Sequence, residues 1–399
     1  MNRRVVITGI GAVTPLGLNY RETWDALIRG RQGIGRLQRV RLKDLPFRMA
    51  GEVRGFDEVS PFTEKEKRRL DPFIQYLVVS AMEAVRDAGL GRIEDPLIIV
   101  GSSRGGVSGM EESFCREKRR IRPSLMTSTM IGMGISAVSE RLGVQASGFG
   151  VSSACASGAI AVGEAYRAIR AGYATVAITG GTDAPITRFC VEGYGGMGLL
   201  SKRADPSASR PFDRERDGFV LAEGAAVMVL EELGHALRRG AGIYAEITGF
   251  ETLITPDGQI RPLVPVEAGL MVRLIERTGF SPEDVDFVSA HATSTPVGDR
   301  VEAEAVFRIF GKRVKVTGLK GATGHMLGAS GALETAVTAS VLRYGIIPGT
   351  VNLKAPEDEM PPISIVREAE RGEYRVGITN SFGLGGINAS LLLTRYKSL

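Results

Sequence analysis

Three residues of this chain could do chemistry together. Cys155 sits in Val151-Ser152-Ser153-Ala154-Cys155-Ala156-Ser157-Gly158, and residues 159–170 after it read as a helix of small and apolar side chains. A thiol placed between a β-branched run and a helix start meets the amides and the positive dipole end of that helix, which favour thiolate over thiol. His291 ends the strand-like run 285–290, and His325 follows a second such run, 314–317, through Gly318-Leu319-Lys320-Gly321-Ala322-Thr323-Gly324. A lone cysteine among alanines and serines is commonly an inert core residue. Two of the chain's three histidines follow strands in the same way, which turns that reading toward a nucleophile with imidazole partners. The third, His235, lies in the charged stretch Glu231-Glu232-Leu233-Gly234-His235-Ala236 and is expected to be solvated.

The elements that must position these groups alternate along the chain. Strand-like runs at 5–8, 97–100, 174–179, 225–230, 287–290, 314–317 and 375–379 are interleaved with helical stretches such as 73–88, 301–310 and 331–343. Such alternation predicts an α/β architecture with the ligand off the strand ends, where the cysteine and the two histidines fall.

Composition excludes several classes. With 399 residues, 43% apolar and 24% charged, the chain can build two cores but has no apolar run long enough for a transmembrane helix. Its start is basic and then strand-like, unlike a signal peptide, so a cytoplasmic location is expected. Cys115, Cys155 and Cys190 are widely spaced, which argues against a disulfide framework and a C-x-x-C metal site; no metal is expected. The net charge of +5 is modest, and the basic clusters at 65–69 and 116–122 read either as solvated helix faces or as a docking patch for an acidic partner. Aromatic residues are only 6% of the chain and no nucleic-acid motif appears, so nucleic acid is not an expected partner. Gly9-Ile10-Gly11 lacks the third glycine of a dinucleotide fingerprint, and no G-x-S-x-G elbow is present.

Four separated motifs carry a resemblance. The Cys155 segment, His291-Ala292-Thr293-Ser294-Thr295-Pro296, Lys320 with Gly324-His325, and Asn380-Ser381-Phe382-Gly383-Leu384-Gly385-Gly386 occur in the order found in condensing enzymes. Over essentially its full length the chain resembles the β-ketoacyl-[acyl-carrier-protein] synthases of the I/II type. The resemblance implies a thiolase-like α/β fold of two related halves, 1–240 with the cysteine and 241–399 with both histidines, in five layers of mixed sheets and helices. No sequence repeat is visible to support that duplication. It also implies a decarboxylative Claisen condensation: Cys155 takes an acyl group from a thioester, and His291 and His325 stabilise the enolate formed when a malonyl unit loses carbon dioxide. The amides of Cys155 and Leu384, with Phe382 beside them, would form the oxyanion hole and gate. A helix dipole contributes about 0.3–1 kcal/mol at an exposed site, against about 3–4 kcal/mol for a preorganised oxyanion donor, so those amides should matter more.

Further roles follow from the same resemblance. Lys320 and Glu334 would tune the second histidine and the charge of the pocket, and Thr293 and Thr295 would hold a pantetheine arm. Lys65, Arg68 and Arg69, with Arg203 as a further candidate, would dock an acyl carrier protein. The implied assembly is a homodimer, or a heterodimer with a chain-length partner, with no cofactor beyond the carrier-bound substrate.

Departures from the pattern bear on the substrate. Ala292 stands where the family usually has glycine, Leu384 and Ile387 replace a gate Phe and Thr, and 257–265 differs from the usual second gate segment. The acyl chain is therefore open between a fatty-acid elongation role and a specialised polyketide or aryl-polyene-type pathway. A thiolase-like acyltransferase needs a second cysteine near the C-terminus, and none follows Cys190; a non-catalytic chain-length partner should lack Cys155.

Overall fold

The computed structural model describes residues 3–40, 44–91, 93–115, 121–255 and 261–397. In the first half the main strands are β1 (Val5–Val13), β2 (Leu97–Gly101), β3 (Ser147–Val151), β4 (Val176–Asp183) and β5 (Gly224–Glu232). In the second they are β6 (Ala245–Ile254), β7 (Phe287–Ser289), β8 (Lys315–Thr317), β9 (Val376–Phe382) and β10 (Ile387–Thr394). The helices that frame them are α1 (Pro72–Asp87), α2 (Ile131–Leu142), α3 (Ser157–Ala171), α4 (Val264–Thr278), α5 (Pro296–Phe310) and α6 (Ser330–Tyr344).

Strand order shows the duplication that the sequence does not. It runs β1-β5-β4-β2-β3 in the first half and β6-β10-β9-β7-β8 in the second, the same order with the same parallel and antiparallel pairings. A short antiparallel contact joins the halves, with Val5 opposite Ile247 and Ile7 opposite Ala245.

Five layers follow from how the strands are buried. In β5, Ala225, Val227 and Val229 face one apolar cluster while Ala226, Met228 and Leu230 face another, so period-two alternation puts side chains in two cores at once. That is why the run reads as continuously apolar rather than alternating. Phe73, Leu77 and Ala84 of α1 cover the outer face of the first sheet, and Met271 and Leu274 of α4 cover that of the second. Between the sheets lie α3 and α6. Residues 330–342 of α6 are all buried, as a helix packed on every side requires. The two central helices approach closely through small residues: a Cβ on Gly158 would stand 2.4 Å from the Gly328 carbonyl oxygen, and one on Gly331 would stand 2.9 Å from the Ala159 Cβ.

Among the described residues no helix is long and apolar enough to cross a membrane.

Candidate active site

Parallel strands of both halves deliver the site. The chain leaves β3 and reaches Cys155 just before α3; it leaves β8 and reaches Lys320 and His325 just before α6. The nucleophile candidate and His325 thus precede equivalent central helices of the duplicated fold. The turns are strained in the same way: Ala154 has φ +48° and Leu327 has φ +47°. Positive φ in a residue with a Cβ persists only where surrounding structure enforces it. Here Ser157 Oγ accepts from the Ser153 amide at 2.8 Å and donates to the Ala154 carbonyl at 2.6 Å, pinning the first turn.

Cys155 Sγ and His325 Nε2 are 3.0 Å apart. The His291 ring stands edge-to-face on that of His325, with centroids 5.4 Å apart and an interplanar angle of 84°. The sulfur and one nitrogen from each ring lie within 4.8 Å of one another, so three groups from both halves converge on one small volume. Phe382 packs against His291 at 5.9 Å, and the Leu384 amide hydrogen-bonds the Cys155 sulfur.

Hydrogen-bond partners assign the imidazole protons. His291 Nδ1 faces Lys320 Nζ at 3.4 Å, and the same ammonium donates to the His291 carbonyl at 2.5 Å. An ammonium has only donors, so Nδ1 is bare and Nε2 carries the proton. His325 is different. Its Nδ1 meets Ser330 Oγ at 3.1 Å, and that oxygen already accepts from the Met326 amide at 3.0 Å. A hydroxyl can still donate or accept there, so either His325 tautomer is satisfied. The turn bearing His291 is held by Glu302, whose two oxygens accept from the amides of His291 (2.9 Å) and Ala292 (2.8 Å).

Burial governs the charges. Desolvation, followed by the nearby Lys320 charge, pushes both imidazoles well below their ordinary pKa. Lys320 itself pairs with Glu334, both side chains being almost wholly buried. Burial raises the Glu334 carboxyl to about 7 against the lowering pull of Lys320. Cys155 is likewise pushed up to about 11 by burial, which outweighs the Leu384 amide and Lys320. The thiolate expected from the helix start is therefore not the resting form: desolvation of a buried sulfur exceeds what one helix end returns. The resting site holds a thiol and two neutral imidazoles.

Other sequence expectations land as follows. Lys320 contacts His291 and pairs with Glu334, and it acts on His325 through its charge. Thr293 and Thr295, both partly exposed, join hydroxyls at 3.1 Å beside the site. Ala292 adopts φ +31°, a conformation that glycine would take without strain. Lys65, Arg68 and Arg69 are exposed on a short helix, Glu64–Arg69, that buries no side chain. Arg203 is partly buried and pairs with Glu215 at 3.2 Å. His235 is not simply solvated: its Nδ1 bonds the buried Glu231 carboxylate at 2.5 Å, because Glu231 lies at the end of strand β5 with its carboxylate buried, just before the short helix Leu233–Arg238 that carries His235. Residues 116–120 of the second basic cluster and 257–260 of the altered gate segment lie outside the described residues.

The match to known proteins is decisive. The models for the N-terminal and C-terminal domains of beta-ketoacyl synthase match residues 2–236 and 244–354. The chain belongs to the beta-ketoacyl synthase family. The relative named 3-oxoacyl-[acyl-carrier-protein] synthase 2 from Staphylococcus aureus (strain COL) is 36% identical, covering 100% of this chain and 99% of its own. Among solved structures, the ishigamide ketosynthase/chain length factor superposes with a TM-score of 0.92 at 28% identity, covering 100% of both chains. A type II polyketide ketosynthase in complex with its acyl-carrier protein, AntDE:AntF, does so with 0.90 at 27% identity, again over 100% of both chains.

Three supports of this synthase site were not found by sequence reasoning. Glu302 and Ser330 are a common acid and a common hydroxyl on helices, with no local pattern to mark them. Asp183 ends β4, and its buried carboxylate accepts from Ser102 Oγ (2.8 Å) and the amides of Ser103 (2.9 Å), Arg104 (3.0 Å) and Gly328 (2.7 Å). A carboxylate closing an apolar strand is the same signal that singled out the histidines.

The buried thiol makes one outcome measurable. Its pKa is raised, so the thiolate fraction climbs with pH until about 11. Iodoacetamide labelling of Cys155, followed by peptide mass mapping, should accelerate about tenfold per pH unit from roughly pH 7 to beyond pH 9. A plateau below about pH 8 would reveal a preformed thiolate–imidazolium pair instead.

Proposed function

We propose that this protein is a condensing β-ketoacyl-acyl-carrier-protein synthase that joins an acyl group held on Cys155 to a malonyl unit. The observation that carries the reading is the convergence of Cys155 Sγ, His325 Nε2 and a His291 whose Nδ1 is occupied by Lys320. In the first step Sγ attacks the thioester carbonyl, and the amides of Leu384 and Cys155 take the developing oxyanion. His325 in its Nε2-bare tautomer accepts the thiol proton and returns it to the departing pantetheine thiolate. A neutral base suits this task, since a permanently charged imidazolium could not accept a proton.

In the second step the malonyl carboxylate leaves as carbon dioxide, and the electrons pass to the thioester oxygen as an enolate. His291 Nε2–H is a fixed donor to that oxygen, and His325 supplies a second once Ser330 donates to its Nδ1. The enolate carbon attacks the acyl carbonyl, the C–S bond breaks, and the released Cys155 thiolate takes up one proton from solvent, the proton that the net decarboxylative condensation consumes. The buried Lys320–Glu334 pair keeps His291 in its donor tautomer throughout. Thr293 and Thr295 border the route of the pantetheine arm. No cofactor or metal enters the scheme, in which Cys155, His291 and His325 act directly on the thioesters.

The name of the AntDE:AntF complex, a ketosynthase with its acyl-carrier protein, supports a carrier protein as the partner here. Exposed Lys65, Arg68 and Arg69 suit its docking, since Lys67 is already taken by Asp57 at 2.7 Å while these three point outward. A second copy of the chain is the assembly we favour over a separate chain-length partner. Strand β3 ends the sheet with residues 147–150 exposed, and among them Phe149 is half exposed. An antiparallel pairing of two such edges about a two-fold axis would bury them. Soluble, cytoplasmic operation fits this reading.

Cys155→Ala should abolish acyl-enzyme formation on intact-protein mass spectrometry; acylation persisting at Cys115 or Cys190 overturns the assignment. His291→Ala and His325→Ala should each lower malonyl decarboxylation by roughly 10²–10³-fold, the usual cost of one oxyanion donor. Near-normal condensation in either variant removes that histidine from the mechanism. Reversing Arg68 and Arg69 to Glu should raise the apparent KM for carrier-bound substrate and flatten its salt dependence, while a free pantetheine thioester loses far less. If both substrates slow equally, the carrier docks elsewhere. Phe149→Asp should shift the mass in light scattering from two chains to one; a wild-type protein that is already monomeric defeats the edge-pairing proposal.

A further inference from the structure

An acyl group on Cys155 would meet a small apolar cluster that includes Val107, Cys190, Val191, Leu200 and Phe219. One residue at its margin does not suit a plain hydrocarbon. Arg104 directs its Nε and Nη2 to the hydroxyl oxygen of Tyr194, at 2.9 and 2.6 Å, with its guanidinium carbon 5.1 Å from the Tyr194 ring. Tyr194 is buried in the same cluster as Cys155. Its ring meets Phe219 edge-on at 5.6 Å, and Phe219 meets His325 edge-on at 5.2 Å. Contact therefore runs unbroken from the guanidinium to the imidazole beside the sulfur.

The donors of this pair are not consumed. Among the described residues no carboxylate lies within ion-pair distance of Arg104. Asp183, which binds its backbone amide, has both oxygens engaged by Ser102, Ser103, Arg104 and Gly328. The Tyr194 oxygen accepts two N–H groups, so its own proton points away from Arg104, and among the described residues no protein acceptor takes it. Among the described residues no protein acceptor takes the Arg104 Nη1 protons, which face solvent on an exposed side chain. The buried Tyr194 hydroxyl, its proton without a protein acceptor among the described residues, would be left unpaired by an alkyl chain and satisfied by an oxygen acceptor, which the exposed Arg104 guanidinium beside it could also meet by exchanging water.

We propose that Arg104 and Tyr194 select acyl groups bearing an oxygen acceptor, a carboxylate or a ketone, on the chain carried by Cys155. This rests on the synthase reading of Cys155 and narrows its substrate to oxygenated acyl thioesters. Such a preference would point to a specialised pathway rather than plain fatty-acid elongation.

The test is competitive labelling of Cys155 by pantetheine thioesters of hexanoyl, a keto-substituted hexanoyl and adipoyl groups, read by peptide mass mapping. The oxygenated thioesters should label roughly 10- to 100-fold faster than hexanoyl, the range expected for hydrogen bonds to charged or buried donors. Arg104→Met and Tyr194→Phe should each collapse that ratio, and Arg104→Lys should retain preference for adipoyl. A preference for adipoyl alone identifies the carboxylate as the recognised group; a shared preference identifies the carbonyl oxygen. Equal labelling by all three in the wild type, or a ratio unmoved in Arg104→Met, overturns the selection while leaving the synthase reading intact. If no thioester adds to Cys155, both fall.

Discussion

The approach of the two central helices is the constraint on which the site depends. Gly158 meets the Gly328 carbonyl and Gly331 meets Ala159 at distances no larger side chain would allow. Because α3 and α6 begin beside one another, the turns that precede them bring Cys155 and His325 to 3.0 Å. A valine at either glycine would force the helices apart by more than the hydrogen-bond tolerance of that pair. Asp183 adds a polar clasp, since one carboxylate binds loop amides of the first half and the Gly328 amide of the second. The site is therefore a property of the interface between halves, and neither half alone contains it.

Electrostatics then follows from dryness. Two imidazoles, an ammonium, a carboxylate and a thiol occupy one buried region, and only the Lys320–Glu334 pair is charged as a unit. Such a pair is costly to bury and costly to break, since either partner left alone is an uncompensated charge. Its positive end faces the imidazoles, where it disfavours their protonation and fixes the proton of His291 on the substrate side. The helix end was expected to contribute little by itself, and the desolvation that outweighs it depends on exposure, which a local sequence window does not show.

Much of the architecture was legible because its strands carry distinct signatures. Runs such as 97–100 and 225–230 are continuously apolar, as doubly buried strands must be, and both candidate histidines stand beyond strand ends. The duplication was not legible: it resides in strand order and pairing, which small apolar residues of many kinds satisfy equally well. The partnership of Lys320 with His291 was also hidden. Lys320 is five positions from His325 and much further from His291 along the chain, yet the turn after β8 points its ammonium at the carbonyl of His291. Lys320 therefore acts on both imidazoles, on His291 by contact and on His325 by its charge.

The duplicated frame also explains why one site, rather than two, forms. Equivalent strand ends β2 and β7 lead to different residues: β7 leads to His291, while β2 leads to Ser102, Ser103 and Arg104. Equivalent ends β4 and β9 likewise diverge, to Asp183 in the first half and to Phe382 in the second. The second half thus supplies imidazoles and an aromatic wall for the reacting thioester. The first half supplies the sulfur, a carboxylate that braces the turns and a guanidinium aimed at Tyr194. On the proposed reading, chemistry and substrate selection are divided between two copies of one topology, so the acyl-facing residues of the first half can change without disturbing the imidazoles of the second.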